Sequence, residues 1–282
     1  MMMKKTYKSI VLPASLFFLS MNGINTAFAG EYSATAGLGV AYSAEYEGSN
    51  DGELRVVPIA SVGWEMDKIK LKNEKAIEVG LLSAELSLFD GLDVGLVRLY
   101  RPEGMYRVNA GVVYSGGRDE DDNEALRGLG DVNGHVLGKI AFTFAQEGVG
   151  WNAGAVISQD VSDETEATML DLAVGYTFGL SETVSLSTQA SANFADDDYM
   201  QSYFGISQQQ ATRSGYARYD AEGGLKSVGV QVGLNWGITE EIGFGVSANY
   251  TKLTGDAADS VLVKTKGDEN QFSGFMGITY SF

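Results

Sequence analysis

Large apolar residues alternate with small or polar ones along most of this chain. From 271 to 282 the even positions are Phe272, Gly274, Met276, Ile278, Tyr280 and Phe282; the odd ones are Gln271, Ser273, Phe275, Gly277, Thr279 and Ser281. Successive side chains of a strand point to opposite faces, so this segment predicts a strand with one greasy flank and one small or polar flank. The same period predicts twelve strands, at 33–45, 53–65, 75–88, 92–101, 105–115, 134–146, 149–158, 169–180, 182–194, 225–236, 242–253 and 271–282. The pattern is least clear in the third and fourth, where Leu81-Leu82 breaks the alternation and suggests a bulge.

Polar residues decide which way the strands face. In 169–180, Leu170, Leu172, Val174, Tyr176 and Phe178 share one flank, with Asp171, Gly175 and Thr177 on the other. Gln189, Gln231, Asn235 and Asn249 likewise fall opposite the apolar flanks. A soluble sandwich also alternates, but its outward flank is rich in Lys and Glu. Here the outward flanks would be far too apolar and aromatic for water. The reading is all-β: a transmembrane antiparallel β-barrel with lipid on the apolar flank and a lumen on the other.

Short and long connections alternate. Glu147-Gly148, Ser181-Glu182 and Ile238-Thr239-Glu240 are tight; 116–133, 159–168, 195–224 and 254–270 are long. Outer-membrane barrels have short periplasmic turns and long extracellular loops, and an even strand number puts both termini in the periplasm. Asp90-Gly91 is the exception, a tight turn where a twelve-strand count calls for an outside loop, so ten to fourteen strands fit.

The first residues read as an address. Lys4, Lys5 and Lys8 precede an apolar run at 10–19, then Ala27-Phe28-Ala29, an A-x-A cleavage site before Gly30. Residues 1–29 are expected to be a signal peptide and 30–282 the barrel, since the run is about half the ~20 residues of a spanning helix. There is no cysteine, so disulfides and cysteine metal sites are excluded. A closed ladder of backbone hydrogen bonds would hold such an exported chain together. The 36 glycines and 3 prolines suit coiled strands with few interrupted ladders. A formal net charge of −17 excludes a nucleic-acid partner, which needs clustered Lys and Arg.

Local chemistry is sparse. Asp119-Glu120-Asp121-Asp122 and Asp196-Asp197-Asp198 lack the spacing of a calcium loop and read as solvated loops. His135, the one histidine, faces the lumen in this register with no matched nucleophile motif, so it reads as a polar lumen residue. Gly37-x-Gly39 and Gly243-x-Gly245 lie inside strands and are not phosphate loops. No cofactor and no catalytic or metal site is expected. Tyr199, Met200, Tyr203, Phe204 and Gly205, within a segment running to Ile206, are unusually aromatic for an exposed loop. That segment is expected to fold against or into the barrel mouth as a plug or contact loop.

Several words resemble the MipA/OmpV family of outer-membrane proteins, whose namesake is the MltA-interacting protein. They are Glu45-Tyr46-Glu47-Gly48-Ser49, Gly128-Leu129-Gly130-Asp131, Tyr199-Met200-Gln201-Ser202-Tyr203-Phe204-Gly205, Tyr219-Asp220-Ala221, Gly224-Leu225-Lys226, Gly255-Asp256-Ala257-Ala258-Asp259-Ser260 and Asn270-Gln271-Phe272. Ala44 and Val261 stand where the family often has proline. The last strand is similar to the signal read by the barrel-assembly machinery through Gly277, Tyr280 and Phe282, although Phe275 stands where a polar residue is commoner. The resemblance implies an outer-membrane address, contact with outer-membrane lipid and insertion by that machinery. It also implies a scaffold role in murein (peptidoglycan) remodelling, in which a lytic transglycosylase and a penicillin-binding protein, a murein hydrolase and a murein synthase, would be partners. A channel for small solutes and a surface-loop adhesin are the alternatives, and fold alone does not choose between them. An enzyme is not expected.

Overall fold

The computed structural model describes residues 32–65, 69–70, 78–87, 91–101 and 103–282. The leader expected at 1–29 and Pro102 of the turn after Arg101 lie outside them.

The wall is built from β1 (Tyr32–Ala44), β2 (Gly52–Glu65), β4 (Glu78–Ser87), β5 (Gly91–Arg101), β6 (Gly104–Ser115), β7 (His135–Ala145), β8 (Gly150–Asp160), β9 (Thr168–Gly179), β10 (Val184–Ala195), β11 (Gly224–Gly237), β12 (Ile242–Leu253) and β13 (Asn270–Ser281). The two-residue β3 (Ile69–Lys70) continues β2 along β4 in the same register, Ile69 opposite Val79 as Glu65 is opposite Ser83. Every neighbour is antiparallel. β1 pairs with β13, and β2 pairs with β4, so the sheet closes on itself with twelve long strands. Among the described residues the long strands number twelve, and Ser87 and Gly91 pair at the rim that carries the long loops.

The apolar flank is the outside. Val40, Tyr42, Phe142, Trp151, Val174, Val230, Met276 and Tyr280 are all exposed. Asp171, Gln189, Gln231, Asn235 and Asn249 sit in the opposite parity on β9 to β12, paired row by row around the inner face, as in Gln189–Gln231–Asn249. Clustered rings line the end opposite the loops, with Trp151 edge-on to Tyr176 at 5.2 Å, Tyr106 beside Phe144 at 4.8 Å and Tyr280 beside Phe282 at 4.8 Å. Tyr42, Tyr114, Tyr250 and Phe272 lie near the loop end. Two aromatic belts bounding an apolar band are what a bilayer selects.

Phe275 is a large ring on the lumen side, and glycine accommodates it. A Cβ on Gly39 would lie 2.5 Å from its ring, and one on Gly277 2.8 Å from it, so the ring lies flat on two positions that hold no side chain. The register break is on β5 against β6, between Gly95 and Val97. The bulge expected at Leu81-Leu82 lies beside it, but β4 and β5 keep one register across that row, from Leu81–Val97 to Ser83–Gly95. The connection after β8 is also shorter than expected, because β8 runs to Asp160 and β9 starts at Thr168.

Four short helices, α1 (Asp197–Tyr203), α2 (Gln208–Ser214), α3 (Gly255–Asp259) and α4 (Val261–Lys266), all belong to the long loops.

Candidate functional site: the loop cap

Segments 45–51, 116–134, 161–167, 196–223 and 254–269 all leave the same rim. They form a folded cap. One buried cluster joins Met200, Tyr203, Phe204 and Ala221 to Leu253, Ala257, Ala258 and Val263. A second joins Tyr46, Ala125, Leu126, Leu129, Ile206 and Leu262. The aromatic segment expected at the mouth supplies the centre: Met200, Tyr203, Phe204 and Ile206 are fully or almost fully buried, and Tyr199 stacks on Tyr203 at 4.6 Å. A soluble-protein core has been placed on one end of a membrane wall, and burying those side chains stabilises the cap by roughly 1.5–3 kcal/mol each.

Local sequence explains why α1 forms. Asp196 is its N-cap, accepting from Tyr199 N at 3.0 Å, and its other oxygen accepts from Thr168 N at 2.7 Å. Asp197 accepts from Gly223 N at 2.6 Å. The acidic triplet read as a solvated loop is therefore partly structural, with Asp196 and Asp197 satisfying backbone donors at a helix start, where negative charge is favoured. In the other acidic run Glu120 accepts from Gly128 N and Gly130 N, both at 2.9 Å. Those glycines have φ of 83° and 77°, which is how two amides reach one carboxylate. Ser207 and Gln210 form a capping box on α2.

Two buried cations fasten the cap. Lys226, at the start of β11, reaches Glu47 at 2.5 Å, and Tyr199 Oη donates to the other oxygen of Glu47 at 2.7 Å. The ammonium also sits 4.7 Å from the Tyr199 ring. Arg118 is buried and donates to the carbonyl oxygens of Tyr203 at 2.7 Å and Ser202 at 3.4 Å, capping the C-terminus of α1, with its guanidinium 5.9 Å from the Tyr203 ring. Burial pulls the Arg118 pKa below its usual value, and Tyr203 leads the groups that oppose this. Burial pushes Tyr203 and Tyr46 up to about 12 and Tyr199 well above its usual value. Sequence reasoning missed Glu47, Lys226 and Arg118 as a set. Glu47 and Lys226 stood inside words quoted for the family resemblance, while Arg118 was visible only as a charge after Gly116-Gly117.

The remaining sequence candidates separate. His135 is buried just under the cap, with Nδ1 3.1 Å from the Asn133 carbonyl oxygen. Among the described residues no group of His, Asp and Glu is arranged to hold a metal ion. Gly277, Tyr280 and Phe282 lie at the far end of the molecule: Gly277 faces the lumen under Phe275, while Tyr280 and Phe282 face outward.

A closed antiparallel barrel with an apolar belt, aromatic girdles and one folded rim is an outer-membrane β-barrel protein. The family model described as MltA-interacting protein MipA matches residues 36–282, and the chain belongs to that family. The quoted family words mostly build the cap and its strand junctions: Tyr46 and Leu129 are core, Glu47 and Lys226 are the buried pair, and Ser260 Oγ donates to Phe204 O at 2.6 Å. No curated protein matches the sequence. Among solved structures the chain is similar to OprB of Pseudomonas putida (10% identity, 89% of this chain and 94% of that one, TM-score 0.44). It is also similar to the COG4313 outer membrane channel from Pseudomonas putida F1 (11%, 91% and 97%, 0.43) and to the NanC porin (9%, 87% and 98%, 0.40).

Proposed function

We propose that this barrel is a membrane-held scaffold for cell-wall remodelling. In this reading its periplasmic turns dock a murein hydrolase of the lytic transglycosylase type and a penicillin-binding protein, and the barrel performs no catalysis of its own. The cap is the observation that carries the reading. A mouth filled by two hydrophobic clusters and two buried cations resists free diffusion, and suits a barrel used as an anchor. The family description, which names an interacting protein, supports the same view. The short turns at the other rim expose Glu103, Glu147, Glu182, Glu240 and Glu241, which favours a basic docking face on the partner. The test is purification of the tagged barrel in mild detergent from cells with intact murein. Cell-wall enzymes in the eluate are expected; their absence, with unaltered murein in a deletion strain, counts against the scaffold.

A channel is the second reading, favoured by the polar inner face of β9 to β12. Single-channel recording separates the two. A stable conductance that changes on deletion of residues 199–205 would favour transport, and electrical silence favours the anchor.

A further inference from the structure

The wall has a notch. β2 pairs with β1 along its whole length, from Gly52–Ala44 to Trp64–Tyr32. On its other side β2 meets β4 only from Ser61–Ser87 to Glu65–Ser83. Among the described residues, 52–60 of β2 have no strand on that side. The outward side chains there show it: Leu54 and Val56 are 71% and 74% exposed, against 39% and 49% for Val228 and Val232 on β11, which has neighbours on both sides. Leu54 is level with Tyr42 of the loop-side aromatic belt, its partner on β1. With ~3.3 Å of rise per residue and a tilt near 40°, the last β4 pair, at Ser61–Ser87, lies roughly 18 Å below that belt, so the open edge runs through the outer leaflet.

Two features say what meets this edge. Pro58 stands in the middle of it. The ladder to β1 is intact across the Leu38–Pro58 row, and an intact ladder tolerates proline only where its nitrogen faces away from the partner. The missing N–H therefore falls on the open side, which blunts that edge against another strand. The remaining backbone groups still need polar partners, because bare amides in hydrocarbon cost several kcal/mol each. Charge on the inner face is also uneven. Glu53 and Arg55 on β2, Asp93 on β5, Arg98 and Arg107 on the β5–β6 row and Lys139 on β7 lie on the side that holds the notch. Below the cap-end Lys226, the inner faces of β10 to β12 carry Gln189, Gln231, Asn235, Asn249 and small residues.

We propose that the notch is a lateral portal for a lipid of the outer leaflet, whose polar head enters beside the β2 edge toward the charged inner wall while its acyl chains stay in the bilayer. The folded cap lies over the mouth above, and this side entrance gives the lumen a connection to the outer leaflet. The proposal does not depend on any periplasmic partner.

The native chain has no cysteine, so single cysteines can be labelled cleanly. Bimane is attached to I59C and V113C, lumen-facing positions on either side of the notch, to S187C on the inner face of the opposite wall, and to V56C on the lipid face. Each full-length variant is reconstituted in phosphatidylcholine vesicles with and without a headgroup nitroxide-labelled phosphatidylcholine. Heat-modifiable migration on gels confirms that each is folded. The expected result is loss of fluorescence at I59C and V113C approaching the loss at V56C, with little loss at S187C. Equal, weak quenching at I59C, V113C and S187C overturns the portal. Protection of V56C as well means that another strand or a second copy covers the edge, and this too overturns it.

Discussion

The two rims of the barrel are held by different kinds of contact. At the turn rim the described turns are closed locally, and the longer links there, such as Phe282 N to Ala34 O at 2.9 Å, are bonds between neighbouring strands. Gln146 N donates to Trp151 O at 2.9 Å, Leu180 N to Val184 O at 2.9 Å and Ile238 N to Ile242 O at 2.8 Å. Ser181 and Thr239 hydroxyls accept from Val184 N and Ile242 N, both at 3.0 Å. At the cap rim the fastenings join distant parts of the chain: Glu47 with Lys226, Glu47 with Tyr199, Arg118 with Tyr203, and Ser49 with Gln271. A hairpin turn needs only its own two strands, but the cap contacts of Tyr46, Glu47 and Ser49 need β1 beside β13, which brings segment 45–51 next to segment 254–269. Long-range contacts are rewarded late because loop closure comes first. The contacts of segment 45–51 thus report that the barrel has closed.

Removing the cap's centre should break the comparison most strongly. Phe204→Ala deletes a buried ring between two loops and should cost ~3–5 kcal/mol of cap stability, with no effect on the turn rim. Limited proteolysis of the folded barrel should then cut within 196–223 while heat-modifiable migration persists. A variant that resists protease as the native protein does would mean that Phe204 does not hold the cap.

The buried pair comes next. Glu47→Gln leaves the Lys226 ammonium buried without its counter-charge, and such orphaned charges cost about 3 kcal/mol or more. Adding Lys226→Met should restore most of that loss, which a mere packing defect at residue 47 would not allow. Protease resistance of the cap measures both variants.

Alkali should loosen the same rim. Burial holds the Tyr46 and Tyr203 hydroxyls at about 12, against an ordinary value of 10.0. Between those values the folded cap keeps protons that the unfolded cap has lost. The contribution is therefore whole below about pH 10, declines as pH rises and is gone above about pH 12. Ultraviolet titration should show late phenolate formation coincident with protease sensitivity of 196–223. Early ionisation of all tyrosines with the cap intact would contradict the assignment.

The contrast between the rims also explains what the sequence discloses. The wall is legible because period-two alternation is written in each strand by itself, as in Val228, Val230 and Val232 against Gly229, Gln231 and Gly233. The burial of the aromatic segment is legible for a related reason: Tyr199, Met200, Tyr203 and Phe204 are too apolar to stay in water. Asp196 as a helix cap carried a readable signal, an Asp followed by a short aromatic run. The Glu47–Lys226 and Arg118–Tyr203 contacts carry none, because no local rule links residues so far apart in the chain. The notch at β2 is hidden similarly. Pro58 marks an edge, but only the pairing shows which edge is open.

The turn rim should yield the smallest effect on folding and, if the scaffold reading holds, a large one on association. Glu147, Glu182, Glu240 and Glu241 are exposed and lie on turns closed by backbone and hydroxyl contacts. Replacing all four with Gln removes charge at nearly constant shape, so each substitution should change stability by no more than ~0.5 kcal/mol. Thr239 and Ser181 remain to close their turns. Against a partner with a basic face, the loss of four like charges should slow association and flatten its dependence on salt, because exposed charges steer encounter more than they hold the bound state. Co-purification of cell-wall enzymes from low-salt buffer should therefore fall in the quadruple variant while its cap stays protease-resistant. Recovery unchanged at every salt concentration would move the docking face away from these turns and leave the cap assignment untouched.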